Sequence, residues 1–220
     1  MTNINGLGWY EVFAKYNKDW LPVLLALWVA LVVCTALVLI RPTNRTNALV
    51  KGCLAVVFGW DAIVFFFMYM RSSAVPGGVP MLVVAILFAV ETGRNKIAIS
   101  LPRSGWHRYL TLSLVLWSLG VYTLAGWLSG HPYPAGPILT APCPTTILAI
   151  VLLSPSMRTL KADRALFTLA FVLLLWWSFF SGLGAPRKFG FYLDYTLFAA
   201  GLYGLVMLIT TWARKSSGTP

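Results

Sequence analysis

The chain has 220 residues, of which 59% are hydrophobic and 10% are charged, and its formal net charge is +11. Soluble domains carry roughly 25% charged residues, so this composition excludes an ordinary water-soluble domain and favours an integral membrane protein. The basic residues lie between the apolar runs. We therefore interpret the positive charge through the positive-inside rule, and expect the lipid bilayer and no nucleic acid as a partner.

The N-terminal segment precedes the first apolar run. Aromatic residues recur at helical spacing across Gly8–Trp20, with charged residues between them. This pattern predicts an amphipathic segment that lies at the outer interface and anchors the first span. We divide the chain into this segment (1–20), a single transmembrane domain (21–214) and a short tail (215–220).

Seven apolar segments follow, and a span needs roughly 20 residues. The pattern predicts an all-α, polytopic membrane helix bundle of about seven transmembrane helices. The third segment is the shortest, and a re-entrant piece is the alternative to a short tilted span. The segments are Leu21–Ile40, Cys53–Met70, Val79–Val90, Tyr109–Leu128, Pro137–Leu153, Ala165–Gly182 and Phe191–Trp212.

The basic residues divide unevenly between the two sides of such a bundle. With the N-terminus outside, twelve Lys and Arg residues lie on the cytoplasmic side and five lie on the outer side. The cytoplasmic set includes Lys51, which we assign to a loop. This bias predicts an external N-terminus, a cytoplasmic C-terminus and a location in the bacterial inner membrane.

Asp61 is the most informative single residue. It lies about halfway along the second apolar segment, beside Trp60, and no other charge occurs in that segment. A carboxylate at mid-bilayer costs roughly 2.5–3.5 kcal/mol on insertion scales, and such residues face a partner or water. We expect Asp61 to face the bundle interior as a proton relay or cation ligand. A structural hydrogen bond is the alternative.

Prolines concentrate between the fourth and fifth segments. The sequence reads His131-Pro132-Tyr133-Pro134-Ala135-Gly136-Pro137, and then Pro142-Cys143-Pro144-Thr145-Thr146. Proline lacks a backbone N–H and clashes with the preceding turn, so we expect the fifth helix to be broken around Pro142–Pro144. A simple proline kink is the alternative.

A helix that restarts after Pro144 would direct its positive N-terminal end towards the protein interior. Thr145 and Thr146 are candidate caps for that end, and its positive potential would favour a thiolate at Cys143. His131 lies at the outer mouth of the break. Asp61, His131 and Cys143 together have the chemistry of a soft-metal site, although their spacing does not require one, so the metal stays undetermined.

Two further acids occur near the ends of apolar segments. We expect Glu91 to form an interfacial ion pair with Arg94 or Lys96. For Asp194, the nearby Arg187 and Lys188 are the expected partners. No lysine falls within a predicted core segment.

The stretch from His131-Pro132 through Gly136-Pro137 to Pro142-Cys143-Pro144-Thr145-Thr146 resembles the signature of a bacterial multi-pass membrane family of unknown function. The resemblance implies a multi-pass helical fold and places the functional centre at the Pro-Cys-Pro-Thr-Thr segment. It implies no substrate and no cofactor.

The sequence favours a small transporter or channel for an ion or small solute. Discontinuous helices that meet an acidic residue near the midplane are used by transporters to bind substrates and coupling ions. The predicted pathway comprises Trp60, Asp61, His131 and the residues Pro142, Cys143, Pro144, Thr145 and Thr146. One alternative is a non-catalytic accessory subunit of a larger membrane complex. Another is a membrane thiol enzyme that uses Cys143. A homo-oligomer is compatible with each function.

Overall fold

The computed structural model describes residues 8–102, 105–138, 140–155 and 164–216. All regular structure in these ranges is helical, and it forms seven helices in chain order. They are α1 (Trp9–Ile40), α2 (Asn44–Tyr69), α3 (Arg71–Arg94), α4 (Trp106–Leu128), α5 (Pro142–Leu153), α6 (Arg164–Phe189) and α7 (a 3-10 turn Tyr192–Asp194 followed by Tyr195–Ser216).

The all-α membrane-bundle prediction is confirmed. Six of the helices are long and apolar enough to cross a membrane, and α5 is the shorter seventh. The third predicted segment is part of a 24-residue helix, because the chain remains helical through the Pro-Gly-Gly turn that precedes Val79. Its length therefore fits a span better than a re-entrant piece.

The N-terminal segment is continuous with the first span. Helix α1 begins at Trp9 and runs for 32 residues. One face of its first turns is buried against the bundle, through Val12, Phe13, Tyr16 and Asn17. The interfacial position of this segment and the division of the chain at residues 20 and 214 stay predictions.

Helix α5 occupies the centre of the bundle. All twelve of its residues are buried, and it packs against α2, α4, α6 and α7. At 1.5 Å per residue it is about 18 Å long, which is shorter than the roughly 30 Å hydrocarbon core. The described residues between His131 and Ala141 contain no regular helix, so the fifth segment is interrupted as expected. The interruption ends at Pro142, however, and does not include Pro142–Pro144.

Asn17 holds the loop that precedes α5. The Asn17 side chain is fully buried, and its Nδ2 donates hydrogen bonds to the carbonyl oxygens of Pro134 and Gly136, at 2.7 and 2.8 Å. The loop therefore packs on α1, and its backbone acceptors are satisfied by a side chain instead of by a helix.

Three of the long helices contain a π segment, and in α2 and α4 this segment lies close to a buried polar residue. The π segment Asp61–Tyr69 completes α2 and begins at the buried acid, while the π segment Trp117–Val121 interrupts α4 directly before Tyr122. Single-turn π bulges are frequent at functional sites because the wider turn redirects side chains. Both segments adjoin the residues that form the candidate site below.

A buried ion pair joins α2 to α3 and corrects two predictions. Lys51 lies within α2 and is fully buried, and its Nζ donates to Glu91 Oε1 at 3.2 Å, to Asn95 Oδ1 at 2.7 Å and to the Ile97 carbonyl at 2.9 Å. The expected loop position of Lys51 is therefore wrong, because α2 begins nine residues before the predicted apolar segment. The ion-pair partner of Glu91 in the described part of the chain is Lys51, in place of the expected Arg94 or Lys96.

Candidate functional site

Asp61 lies inside the protein, as the sequence analysis predicts. Its side chain is fully buried, and neither carboxylate oxygen has a hydrogen-bond partner among the described residues. The neighbouring Trp60 indole donates to the Tyr16 hydroxyl at 3.0 Å, so it does not reach the carboxylate. A buried polar group without a partner is unusual in proteins, and each such group calls for an explanation.

The N-terminal turn of α5 is a weaker positive end than predicted. Ala141 is its N-cap, Pro142 and Pro144 lack backbone N–H groups, and the Thr145 N–H bonds to the Ala141 carbonyl at 3.2 Å. Within this turn only the Cys143 N–H is left to receive an anion. No hydrogen bond joins this turn to Asp61 among the described residues.

Thr145 and Thr146 do not cap α5. No side-chain cap forms, because the helix begins three residues earlier than expected. The Thr146 hydroxyl donates to the Pro142 carbonyl at 2.7 Å. The Thr145 hydroxyl is buried without a hydrogen-bond partner among the described residues. Thr145 thus adds a second unsatisfied polar group to the centre of the bundle, on a helix that contacts α2.

Four helices converge on Asp194, in an arrangement that we call the Asp194 cluster. The Tyr122 hydroxyl of α4 donates to Asp194 Oδ1. Asp194 Oδ2 accepts from two further groups, the Cys143 thiol of α5 and the Ser181 hydroxyl of α6, each at 3.4 Å. The thiol sulfur and the Ser181 oxygen are 3.6 Å apart. The Asp194 side chain is fully buried. The carboxyl group is therefore surrounded by neutral donors.

One prediction about this cluster was wrong, and the surroundings of Cys143 differ from those that were expected. Asp194 makes no ion pair with Arg187 or Lys188 in the described part of the chain, because both of those side chains are exposed in the last turn of α6 while Asp194 points inward. Basic residues favour this last turn, where they offset the negative end of the helix dipole. Cys143 donates its S–H to a carboxyl group, which is unlike the thiolate that was expected beside a positive helix end.

His131 packs on aromatic rings beside the cluster. Its imidazole stacks on Tyr10, with ring centroids 4.5 Å apart, and meets Phe191 edge-on at 5.4 Å. Phe191 lies three residues before Asp194. Among the described residues no group of three His, Cys, Asp or Glu side chains could hold a metal ion. The soft-metal hypothesis for Asp61, His131 and Cys143 is therefore not supported.

A cavity of about 130 Å³ extends to the Asp194 cluster, and we call it the Ser181 cavity. Ser181 both lines this cavity and donates to Asp194. Exposed polar residues stand at its opening, whereas aromatic rings form much of its wall. Its lining comprises Trp9, Ser72, Ser73, Pro76, Trp177, Phe180, Ser181, Gly184, Ala185, Lys188 and Phe189.

The chain belongs to a family of unknown function, DUF6064, and the match to that family extends over residues 8–218. The predicted resemblance to an uncharacterised family is thereby confirmed. No curated protein and no solved structure matches the chain. Its activity therefore has to be inferred from the geometry of the site.

Proposed function

We propose that this DUF6064 protein is a small transporter or channel for an ion or small solute in the bacterial inner membrane. The observation that supports this function best is the position of Ser181, which faces the Ser181 cavity and hydrogen-bonds to the buried Asp194. Through this one hydroxyl, a space that opens at the surface adjoins an acidic group in the interior.

The charge of the site favours a cation as the transported species. Asp194 has three neutral donors, and Asp61 has no hydrogen-bond partner among the described residues. Burying a carboxylate without a cation costs several kcal/mol in general, so an arriving proton or small cation would offset that cost. At about 130 Å³, the Ser181 cavity has room for several water molecules or one small hydrated ion. Protons and monovalent cations are therefore the substrates to test first.

Flux through the full chain in liposomes tests the proposal. We expect influx of protons under an imposed pH gradient, or influx of sodium under a sodium gradient. An entrapped pH-sensitive dye reports the proton influx. The Asp194→Asn and Asp61→Asn variants should each lower this flux to that of protein-free liposomes. The matched control is Glu11→Gln, since this acid is exposed and accepts a hydrogen bond from the Gly8 N–H, which glutamine can also accept.

Size-exclusion profiles and thermal unfolding of every variant separate a lost pathway from a lost fold. Full flux in Asp194→Asn would exclude the Asp194 cluster from the pathway. A wild-type chain that conducts neither ion on its own would overturn the proposal, and would favour the accessory-subunit alternative.

A membrane thiol enzyme is the second candidate, and the Cys143–Asp194 contact is the observation that favours it. At 3.4 Å from the sulfur, the Asp194 carboxylate is placed to accept the thiol proton, so it could act as the general base of a nucleophilic cysteine. Cys143 is 7% exposed and does not line the Ser181 cavity. Iodoacetamide labelling read by mass spectrometry, with Cys34 and Cys53 as internal references, distinguishes the two functions. An enzyme requires preferential labelling of Cys143, whereas transport requires no particular reactivity of that thiol.

A further inference from the structure

A second concave surface, which shares no lining residue with the Ser181 cavity, lies between α1, the end of α4 and the loop before α5. It has a volume of about 410 Å³, and no polar surface lines it. We call it the Trp28 groove; its lining is Leu21, Leu25, Trp28, Trp127, Tyr133 and Ile138. Its volume is more than twice the roughly 150 Å³ of apolar cavity that binds benzene, so an aliphatic chain of a dozen carbons is a fitting occupant.

Hydrogen bonds outside the groove fix its walls. The Trp28 indole donates to the Leu119 carbonyl of α4 at 2.7 Å, which orients this ring. Asn17 holds the loop that carries Tyr133 and Ile138, through its bonds to Pro134 and Gly136. The groove is therefore formed before anything binds.

A lysine stands above one end of the groove. Lys18, Leu21, Leu25 and Trp28 are spaced by three or four residues, so they share one face of α1. The Lys18 side chain is exposed one turn before Leu21, and no ion pair or hydrogen bond to it occurs among the described residues. The nearby Lys15, by contrast, pairs with Asp19 at 2.9 Å.

We infer that the Trp28 groove is a binding site for an anionic phospholipid, with one acyl chain against Trp28 and Trp127 and the phosphate near Lys18. The flanking surface is apolar and exposed, including Val29 at 51% and Leu128 at 90%, so in a bilayer this face meets acyl chains. The single unpaired ammonium above the apolar groove selects an anionic headgroup over a zwitterionic one.

Brominated lipids test this inference, because bromine on an acyl chain quenches tryptophan fluorescence on contact. The full chain is reconstituted in phosphatidylcholine vesicles that contain a small fraction of dibrominated phosphatidylglycerol, or of dibrominated phosphatidylcholine as the reference. We expect stronger quenching by phosphatidylglycerol, and we expect Trp28→Phe and Trp127→Phe to remove that excess.

Lys18→Gln should weaken the preference for phosphatidylglycerol roughly fivefold, which corresponds to one basic residue near a membrane surface. The matched control Lys15→Gln and the charge-preserving Lys18→Arg should retain the preference. Equal quenching by the two lipids, or an unchanged preference in Lys18→Gln, would overturn the inference. Absence of quenching at Trp28 and Trp127 together with a dimeric mass would assign the groove to a second copy.

Discussion

Replacing Lys51 by methionine should destabilise the protein strongly. The lysine is fully buried and has three N–H groups, each with its own acceptor: Glu91, Asn95 and the Ile97 carbonyl. Methionine preserves much of the volume but leaves Glu91 as a buried carboxylate whose remaining hydrogen bond, among those seen in the described residues, comes from the Ile97 N–H. Removing one partner of a buried ion pair costs about 3–5 kcal/mol, because the other charge stays uncompensated.

The exposed pair Lys15–Asp19 provides the matched control. Its N–O distance is 2.9 Å, which is shorter than the 3.2 Å of the Lys51–Glu91 pair, but its side chains are 54% and 38% exposed. Solvent screens such a pair, so Lys15→Met should cost about 0–1 kcal/mol. Distance alone would predict the opposite order of the two effects. Burial is therefore the quantity that this comparison tests.

The melting temperature of each variant is measured by thermal unfolding in detergent, with a thiol-reactive fluorophore as the probe. For a chain of this size 1 kcal/mol corresponds to about 2–4 °C in Tm, so Lys51→Met should lower Tm by about 6–20 °C and Lys15→Met by less than about 4 °C. The double variant Lys51→Met/Glu91→Gln should recover part of the loss, because glutamine is neutral and still accepts from Ile97. Equal shifts in Lys51→Met and Lys15→Met would refute the reasoning.

Three further outcomes are expected. Gly182→Ala should lower stability by about 1–3 kcal/mol, because the added Cβ would lie 2.7 Å from the Phe198 backbone nitrogen. Gly184→Ala on the same helix is the control: its Cβ meets no atom within 4 Å, so it should be neutral or stabilising. Equal melting temperatures of the two variants would contradict this. Asn17→Ala should release the loop before α5, and hydrogen exchange should rise there and not in α7; unchanged exchange would exclude the anchoring role. A C-terminal reporter fusion should be active only in the cytoplasm, and activity on the outer side would reverse the predicted topology.

The architecture was largely predictable from the sequence, whereas the lengths of its helices were not. Apolar runs mark where a helix crosses hydrocarbon, and all seven runs correspond to helices. Four helices extend well past their runs, because turns outside the apolar zone continue the helical hydrogen bonding: α1 begins at Trp9, α2 at Asn44 and α3 at Arg71, and α6 ends at Phe189. Lys51 was assigned to a loop for this reason, since it lies in such an extension.

The candidate site was only half predictable. Asp61 and Cys143 stand out because each interrupts an apolar or proline-rich pattern in its own segment. Tyr122 and Ser181 lie in different apolar segments, and no spacing along the chain relates them to Asp194. Their meeting depends on the rotation and tilt of four helices, which packing determines and composition does not. The one available signal was the presence of hydroxyl groups inside apolar segments, where polar side chains usually face a partner.

The three acids that are buried in the described part of the chain differ in their surroundings, and this difference favours different roles for them. Glu91 is paired with an ammonium group, so binding another cation there would require breaking the link between α2 and α3. Asp194 is held by neutral donors that can reorient, and Asp61 has no donor among the described residues. A mobile cation is stabilised most where no resident cation competes with it. Under the proposed transport function, Asp61 and Asp194 are therefore the groups that a moving ion would use, whereas Glu91 pairs with Lys51 within the fold.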